Sequence, residues 1–226
     1  MLVQWITSLA ILGVATYYDV KQRLVPDTPW VIGSILGLLL DILFFRGDPI
    51  KYLIRFIPLG LILLLSWRWK LMGEADILAY LTLAIMTPNY PNGVESPIIP
   101  AFATFIYSKL LLLAVPLFQL ALNLYEISKD PSLMEGFDEP LWRKALALLF
   151  LSPKKRGLGD VPAERVDERG KRKFLLSAIT SPLPDKDVDA SGWVAPAYPL
   201  IPMIMVGHIL SMMLGDPILA LGLLSS

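Results

Sequence analysis

The chain of 226 residues contains no cysteine, which excludes disulfide bonds, cysteine zinc sites and thiol nucleophiles. Asparagine and glutamine are also scarce, with three of each, a weak indication of a hot habitat in which thermolabile residues are depleted. Neither charge sign is in excess, because 20 Lys and Arg balance 20 Asp and Glu. The composition therefore implies no nucleic acid or other polyanion as a partner. No internal repeat is visible.

Apolar residues are abundant, at 55% of the chain, and they cluster into runs. A helix that crosses a bilayer needs about 20 residues. The first run has no Lys or Arg ahead of it, unlike a secretory signal, so we expect it to be a retained transmembrane helix. The sequence predicts an all-α integral membrane protein, a bundle of about six transmembrane helices over residues 2–18, 28–45, 52–66, 76–87, 98–124 and 193–214.

Three regions differ in composition. Residues 1–124 hold the first five predicted helices, residues 125–192 form a charged loop region, and residues 193–226 hold the sixth helix and a tail. Within the loop region, the short apolar run 141–151 has two basic residues near its start, which is typical of a helix lying in the membrane interface.

The distribution of basic residues predicts the orientation. Placing residues 19–28, 67–75 and 125–190 on one side gathers 16 of the 20 Lys and Arg there, against three on the other side. Because cytoplasmic loops carry the excess of Lys and Arg, this side is predicted to be cytoplasmic. We therefore expect a multi-pass protein of the cell membrane with its N-terminus outside.

Two aspartates lie at the predicted cytoplasmic ends of helices. Asp19 closes the first apolar segment, and Asp76 opens the fourth, just after the boundary run Trp67-Arg68-Trp69-Lys70. A carboxylate costs about 2.5–3.5 kcal/mol at the bilayer centre and less near the interface. Two carboxylates close together cannot both ionise easily, so one can polarise a carbonyl while the other takes a proton from water. The alternative interpretation is that each is solvated at a helix end.

The surroundings of both aspartates resemble a known family. Asp19-x-x-x-Arg23-x-Val25-Pro26-Asp27 resembles the first signature of prepilin peptidases, an aspartate followed by a basic residue and an apolar-Pro-Asn/Asp turn. Gly73-Glu74-Ala75-Asp76 is similar to their second signature, Gly-x-Gly-Asp, in the Gly-x-Ala-Asp form of archaeal preflagellin and prepilin peptidases. Here the glycine is expected to let the helix entrance bend. The resemblance extends over residues 1–124 and 193–214.

The resemblance implies a membrane aspartic endopeptidase that needs no metal or organic cofactor. It would remove short basic leaders from prepilin- or preflagellin-like precursors at the cytoplasmic membrane face, with the lipid bilayer as its other partner. The resemblance also implies that Asp19 and Asp76 are the catalytic residues, with supporting roles for Gly73, Glu74, Arg23 and Pro26.

Two departures from the family change the charges near the two aspartates and therefore affect how readily they ionise. Leu78 stands where the family often has lysine, and Glu74 adds a third carboxylate. The cysteine-rich segment and methyl-transfer activity of bacterial relatives are not expected in a chain without cysteine.

Two other functions share some of these features. An intramembrane protease of the presenilin or signal-peptide-peptidase type also uses Tyr-Asp and Gly-x-Gly-Asp, but it carries a late Pro-Ala-Leu where this chain has Ala195-Pro196-Ala197. A small transporter would explain polar residues within the membrane, although it usually shows a pseudo-repeat.

Other polar residues receive structural interpretations. Asp41 and Lys109 lie at similar predicted depth and are expected to form a neutralising pair. His208, the only histidine, is expected to be structural, and Gly157-Leu158-Gly159-Asp160 is expected to be a solvated turn. The tryptophans are expected to anchor the chain at the interface, among them Trp5, Trp30, Trp67, Trp69 and Trp193.

The start of the sixth helix contains three prolines, which cannot donate backbone hydrogen bonds. Residues 195–202 are therefore predicted to be extended or loosely wound, and to pair with an extended substrate by strand addition. The alternative is an ordinary helix entrance. The residues proposed for this cleft are Pro196, Pro199 and Pro202.

Overall fold

The computed structural model describes residues 2–44, 48–90, 96–153, 159–167, 170–179 and 192–224. They form eight α-helices, two short 3-10 helices and four short strands. The helices are α1 Leu2–Gln22, α2 Thr28–Phe44, α3 Pro49–Arg68, α4 Glu74–Met86, α5 Pro100–Lys129, α6 Leu141–Phe150, α7 Ile201–Leu214 and α8 Pro217–Leu224. The chain divides into a first unit, Met1–Leu112 with Pro199–Ser226, and a second unit, Leu113–Tyr198. The predicted helical fold is thus confirmed, with a minor sheet.

Helix α4 is the centre of the first unit. Eight of its 13 residues are buried, on more than one face, as expected of a helix that is apolar all round. The close approach of α2 depends on Gly33 and Gly37, four residues apart. A Cβ at either position would come within 3.0 Å of the α4 side chains Thr82 or Met86. The two glycines therefore allow α2 to pack closely against α4, the helix that carries Asp76.

Helices α3 and α5 have largely exposed apolar surfaces. Among the described residues they are the two helices long and apolar enough to cross a membrane, and only 17% and 11% of their most apolar windows are buried. Helices α2 and α7 are apolar but shorter, at 17 and 14 residues. An exposed apolar surface of this extent marks an interaction surface for a membrane or for another protein, and the six membrane spans remain a prediction.

Several helix ends differ from the predicted ones. Helix α1 continues through Asp19 to Gln22, so the carboxylate projects from the last turns rather than following the helix. The sixth predicted helix begins at Ile201 instead of Trp193. Of residues 195–202, predicted to be extended or loosely wound, Ala195 lies in a strand and residues 196–200 have no regular structure, whereas Ile201 and Pro202 are already the first residues of α7.

The second unit replaces much of the predicted charged loop with a packed core. Its apolar centre consists of Phe137, Ala147, Leu151, Ala163, Phe174, Trp193 and Ala195. Strand β1 (Val161–Pro162) pairs antiparallel with β4 (Val194–Ala195), and β2 (Glu164–Val166) pairs antiparallel with β3 (Arg172–Phe174). The predicted helix over 141–151 is present as α6. Charge dominated the composition of this region, and its scattered apolar residues gave no periodic pattern to predict a core.

The expected tryptophan belt is wrong for three of its five members. Trp5, Trp30 and Trp193 are at most 3% exposed and lie inside the protein, whereas Trp67 and Trp69 are more than 60% exposed. A tryptophan near a predicted boundary can face either lipid or a neighbouring helix, and its position in the sequence does not distinguish these.

Candidate active site

Asp76 lies in the first turn of α4, at the third helical position after Gly73. The Asp76 backbone N–H donates to the Gly73 carbonyl oxygen at 3.2 Å, and the Asp76 carboxylate interacts electrostatically with the Gly73 backbone. The side chain is 6% exposed. Gly73 was expected to let the helix entrance bend through its conformational freedom. Its φ is −65°, which any residue can adopt, so this position does not require glycine for its backbone. A Cβ there would lie 3.3 Å from Asp76 Oδ2, tight enough to displace the carboxylate.

Asp19 reaches the entrance of α7 from the end of α1. Its Oδ2 accepts a hydrogen bond from the backbone N–H of Ile201, the first residue of α7, at 3.0 Å. The first N–H groups of a helix have no partner within the helix, so a side chain from elsewhere can satisfy one. Asp19 therefore joins two helices that are 182 residues apart in sequence.

The two aspartates lie in the same unit, near enough for their charges to interact. Asp76 interacts electrostatically with Asp19 of α1 and, more strongly, with Lys109 of α5. All three residues belong to the first unit. Two carboxylates and one ammonium group thus share one region of this helical unit, although they come from three separate helices.

The predicted Asp41–Lys109 pair is wrong. Asp41 accepts a hydrogen bond from Gln4 Nε2 at 2.8 Å. Lys109 Nζ lies instead over two aromatic rings, 5.9 Å from the Tyr80 centroid and 5.3 Å from the Phe105 centroid. Equal depth along two helices says nothing about the direction in which each side chain points around its helix, and the pairing depended on depth alone.

Arg23 and Glu74, two of the predicted supporting residues, flank the aspartates. Arg23 ends α1 with a φ of 55°, and its backbone N–H donates to the Asp19 carbonyl at 3.1 Å. Its Nε and Nη1 are buried and have no hydrogen-bond partner among the described residues. Glu74 is exposed at the start of α4. Pro26 lies in the irregular turn between α1 and α2.

An apolar groove of about 480 Å³ runs beside α4, with Glu74 on its wall. Its other lining residues come from α3 and α4 and include Leu78, the position of the family's lysine. They are Phe56, Gly60, Leu63, Leu64, Trp67, Ile77, Leu78 and Leu81. The groove combines a surface suited to an apolar segment with a single carboxylate.

His208 has the structural environment that the sequence suggested. Its Nε2 lies 2.8 Å from Ser8 Oγ and its Nδ1 lies 3.1 Å from Thr104 Oγ1, while its ring stacks on Trp5 at 4.4 Å. The ring is fully buried and joins α1, α5 and α7. Within the described ranges, no group of three His, Asp or Glu side chains could hold a metal ion.

Asp160 is more than the solvated turn residue expected of it. Its Oδ1 accepts a hydrogen bond from the Ala197 backbone N–H at 3.0 Å, within the second unit. Gly157 and Leu158 of the same motif lie outside the described residues. Within the segment 195–202 predicted to add a strand to the substrate, Ala195 already pairs with Val161 of β1, and strand addition by the other residues stays a prediction.

Fold and site together define a mostly helical protein with two helices long and apolar enough to cross a membrane, and with two interacting carboxylates in one helical unit. A family model described as the type IV leader peptidase family matches residues 6–122, a range that includes both aspartates and Lys109. The chain belongs to the type IV leader peptidase family. It is also 25% identical over 224 residues to a preflagellin peptidase of Methanocaldococcus jannaschii, with 92% of each chain covered. The predicted resemblance is confirmed, and the protein is a peptidase.

Proposed function

We propose that this protein is an aspartic leader peptidase in which Asp19 and Asp76 form the catalytic pair. The observation that carries the proposal is that both carboxylates lie in the first unit, near enough for their charges to interact, although 57 residues separate them in sequence. Asp19 accepts a hydrogen bond from the Ile201 backbone N–H, and Asp76 interacts with the backbone of Gly73. Fixed carboxylates lose little freedom when they act on a substrate.

The pair would work in its singly protonated form. The ionised carboxylate takes a proton from water as the water oxygen attacks the scissile carbonyl, and the protonated carboxyl hydrogen-bonds to the carbonyl oxygen. The tetrahedral intermediate then collapses. The C–N bond breaks, the leaving nitrogen receives a proton from the pair, and one proton again remains on the two carboxylates.

The substrate class follows from the relative, which is a preflagellin peptidase. We infer that the substrates here are prepilin- or preflagellin-like precursors with a basic leader before an apolar helix, cut on the cytoplasmic side. The groove beside α4 suits the apolar helix, and exposed Glu74 suits a basic residue of the leader. Pro196, Pro199 and Pro202 remain proposed cleft residues. The family membership supports this substrate class over those of the intramembrane protease and the transporter.

The test is cleavage of a co-expressed prepilin- or preflagellin-like precursor, followed by its mobility shift on a gel. Asp76→Asn should abolish cleavage while the protein still accumulates in the membrane. Asp160→Asn is the matched control, because it changes an aspartate in a similar Gly-x-Gly-Asp motif and the amide oxygen can still accept from Ala197. The control should cleave at nearly the wild-type rate. Cleavage by Asp76→Asn would contradict the assignment.

A further inference from the structure

Lys109 occupies a costly position that the proposed mechanism leaves unused. It lies in the tenth position of the apolar helix α5 and is half-buried. A lysine within a membrane is energetically unfavourable, and residues of this kind face the protein interior and mark functional sites.

Two aromatic rings fix where the Lys109 ammonium lies. The rings of Tyr80 and Phe105 meet edge to face with centroids 5.3 Å apart, and Nζ is within 6 Å of both centroids. Tyr80 is fully buried, and its hydroxyl lies 2.5 Å from the Ser108 hydroxyl. The ring that holds Lys109 is therefore itself tied to α5.

The same ring directs the ammonium towards Asp76. Tyr80 follows Asp76 by four residues on α4, so the two side chains share one face of that helix. A cation placed over Tyr80 is consequently near Asp76. This geometry accounts for the electrostatic interaction of Asp76 with Lys109.

Other titratable groups of the neighbouring helices interact with residues other than Asp76. Asp41 of α2 and Arg55 of α3 act on the Tyr52 hydroxyl, and His208 of α7 is bonded to hydroxyl groups. Lys109 and Asp19 are thus the charged groups that act on Asp76 among the described residues.

We propose that Lys109 is a positioning residue that keeps the aspartate pair singly ionised over the working pH range. This rests on the proposed function of Asp19 and Asp76. A fixed positive charge favours the pair with one negative charge over the fully protonated pair, which cannot accept a proton from water. Without the ammonium group, acidification should protonate the pair fully at a higher pH.

The experiment is the pH dependence of precursor cleavage by the purified full chain in detergent. Lys109→Met should move the acidic limb of the profile towards higher pH by about one unit, the low end of the effect of a neighbouring opposite charge. Lys109→Arg should restore the wild-type limb. Lys129→Met is the matched control, because Lys129 lies on the same helix and over another ring, 4.2 Å from the Tyr125 centroid. This control should leave the profile unchanged.

An acidic limb that is unchanged in Lys109→Met would overturn the proposal. So would a uniform loss of rate at every pH, which indicates a structural role. Lys109→Gln serves as a second variant if the methionine variant does not accumulate, and failure of both to accumulate would assign Lys109 to folding instead. Cleavage by Asp76→Asn, measured alongside, would contradict the proposed function itself and not only the role of Lys109.

Discussion

Asp19 has two roles that different substitutions can separate. Its carboxylate belongs to the proposed catalytic pair, and its Oδ2 also accepts the Ile201 N–H at the start of α7. Asparagine keeps an acceptor oxygen but removes the charge, whereas alanine removes both. We therefore expect Asp19→Asn and Asp19→Ala to be equally inactive, and only Asp19→Ala to loosen the entrance of α7.

The free-energy cost of Asp19→Ala at the α7 entrance follows from the single hydrogen bond that alanine removes. Loss of a side-chain cap at a helix N-terminus costs about 0.5–2 kcal/mol. A cost of about 1 kcal/mol raises the population of locally opened chains about fivefold. Because the chain has no cysteine, Leu200→Cys gives a single reporter next to the capped N–H. Alkylation of this thiol should be about fivefold faster in the Asp19→Ala background and near the original rate in Asp19→Asn.

The control is another capping aspartate. Asp48 accepts the Ile50 N–H at 2.9 Å at the start of α3. Asp48→Ala should lose a similar amount of stability but retain cleavage and the original alkylation rate at Leu200→Cys. Equal alkylation rates in Asp19→Asn and Asp19→Ala would refute the capping argument. Cleavage by Asp19→Asn would refute the catalytic one.

Two further predictions concern the groove and the second unit. Glu74→Gln should raise the KM for a precursor with a basic leader about two- to fivefold and leave kcat unchanged, because it removes one exposed ion pair with the leader. An unaltered KM would argue against this contact. Arg172→Met should lower the free energy of unfolding by about 3 kcal/mol, because it strands Glu164, which is 3% exposed and also accepts the Trp193 N–H. Limited proteolysis of the whole protein measures this loss. The added change Glu164→Gln should recover part of it, and no recovery would contradict the stranded charge.

The fold was predictable where it depends on a pattern within one stretch of sequence. Long apolar runs predicted α1 to α5 closely, since the requirement to satisfy backbone groups in a bilayer leaves helix as the outcome for such runs. The prolines likewise predicted the irregular backbone before Ile201. The second unit was missed because its core is assembled from single apolar residues on α6, on short strands and 3-10 helices and in the loops between them, none of which is long enough to show a period.

By itself, the sequence determined the family, the helical class and the two candidate aspartates, because each depends on residue types at fixed local spacing. The tertiary structure alone decided which side chains meet. It placed Lys109 over the ring of Tyr80, one helical turn from Asp76, rather than beside Asp41, and it gave Asp19 a backbone partner 182 residues away. The direction of a side chain around its helix, and the neighbour that it therefore faces, are set by the packing of helices that are distant in sequence.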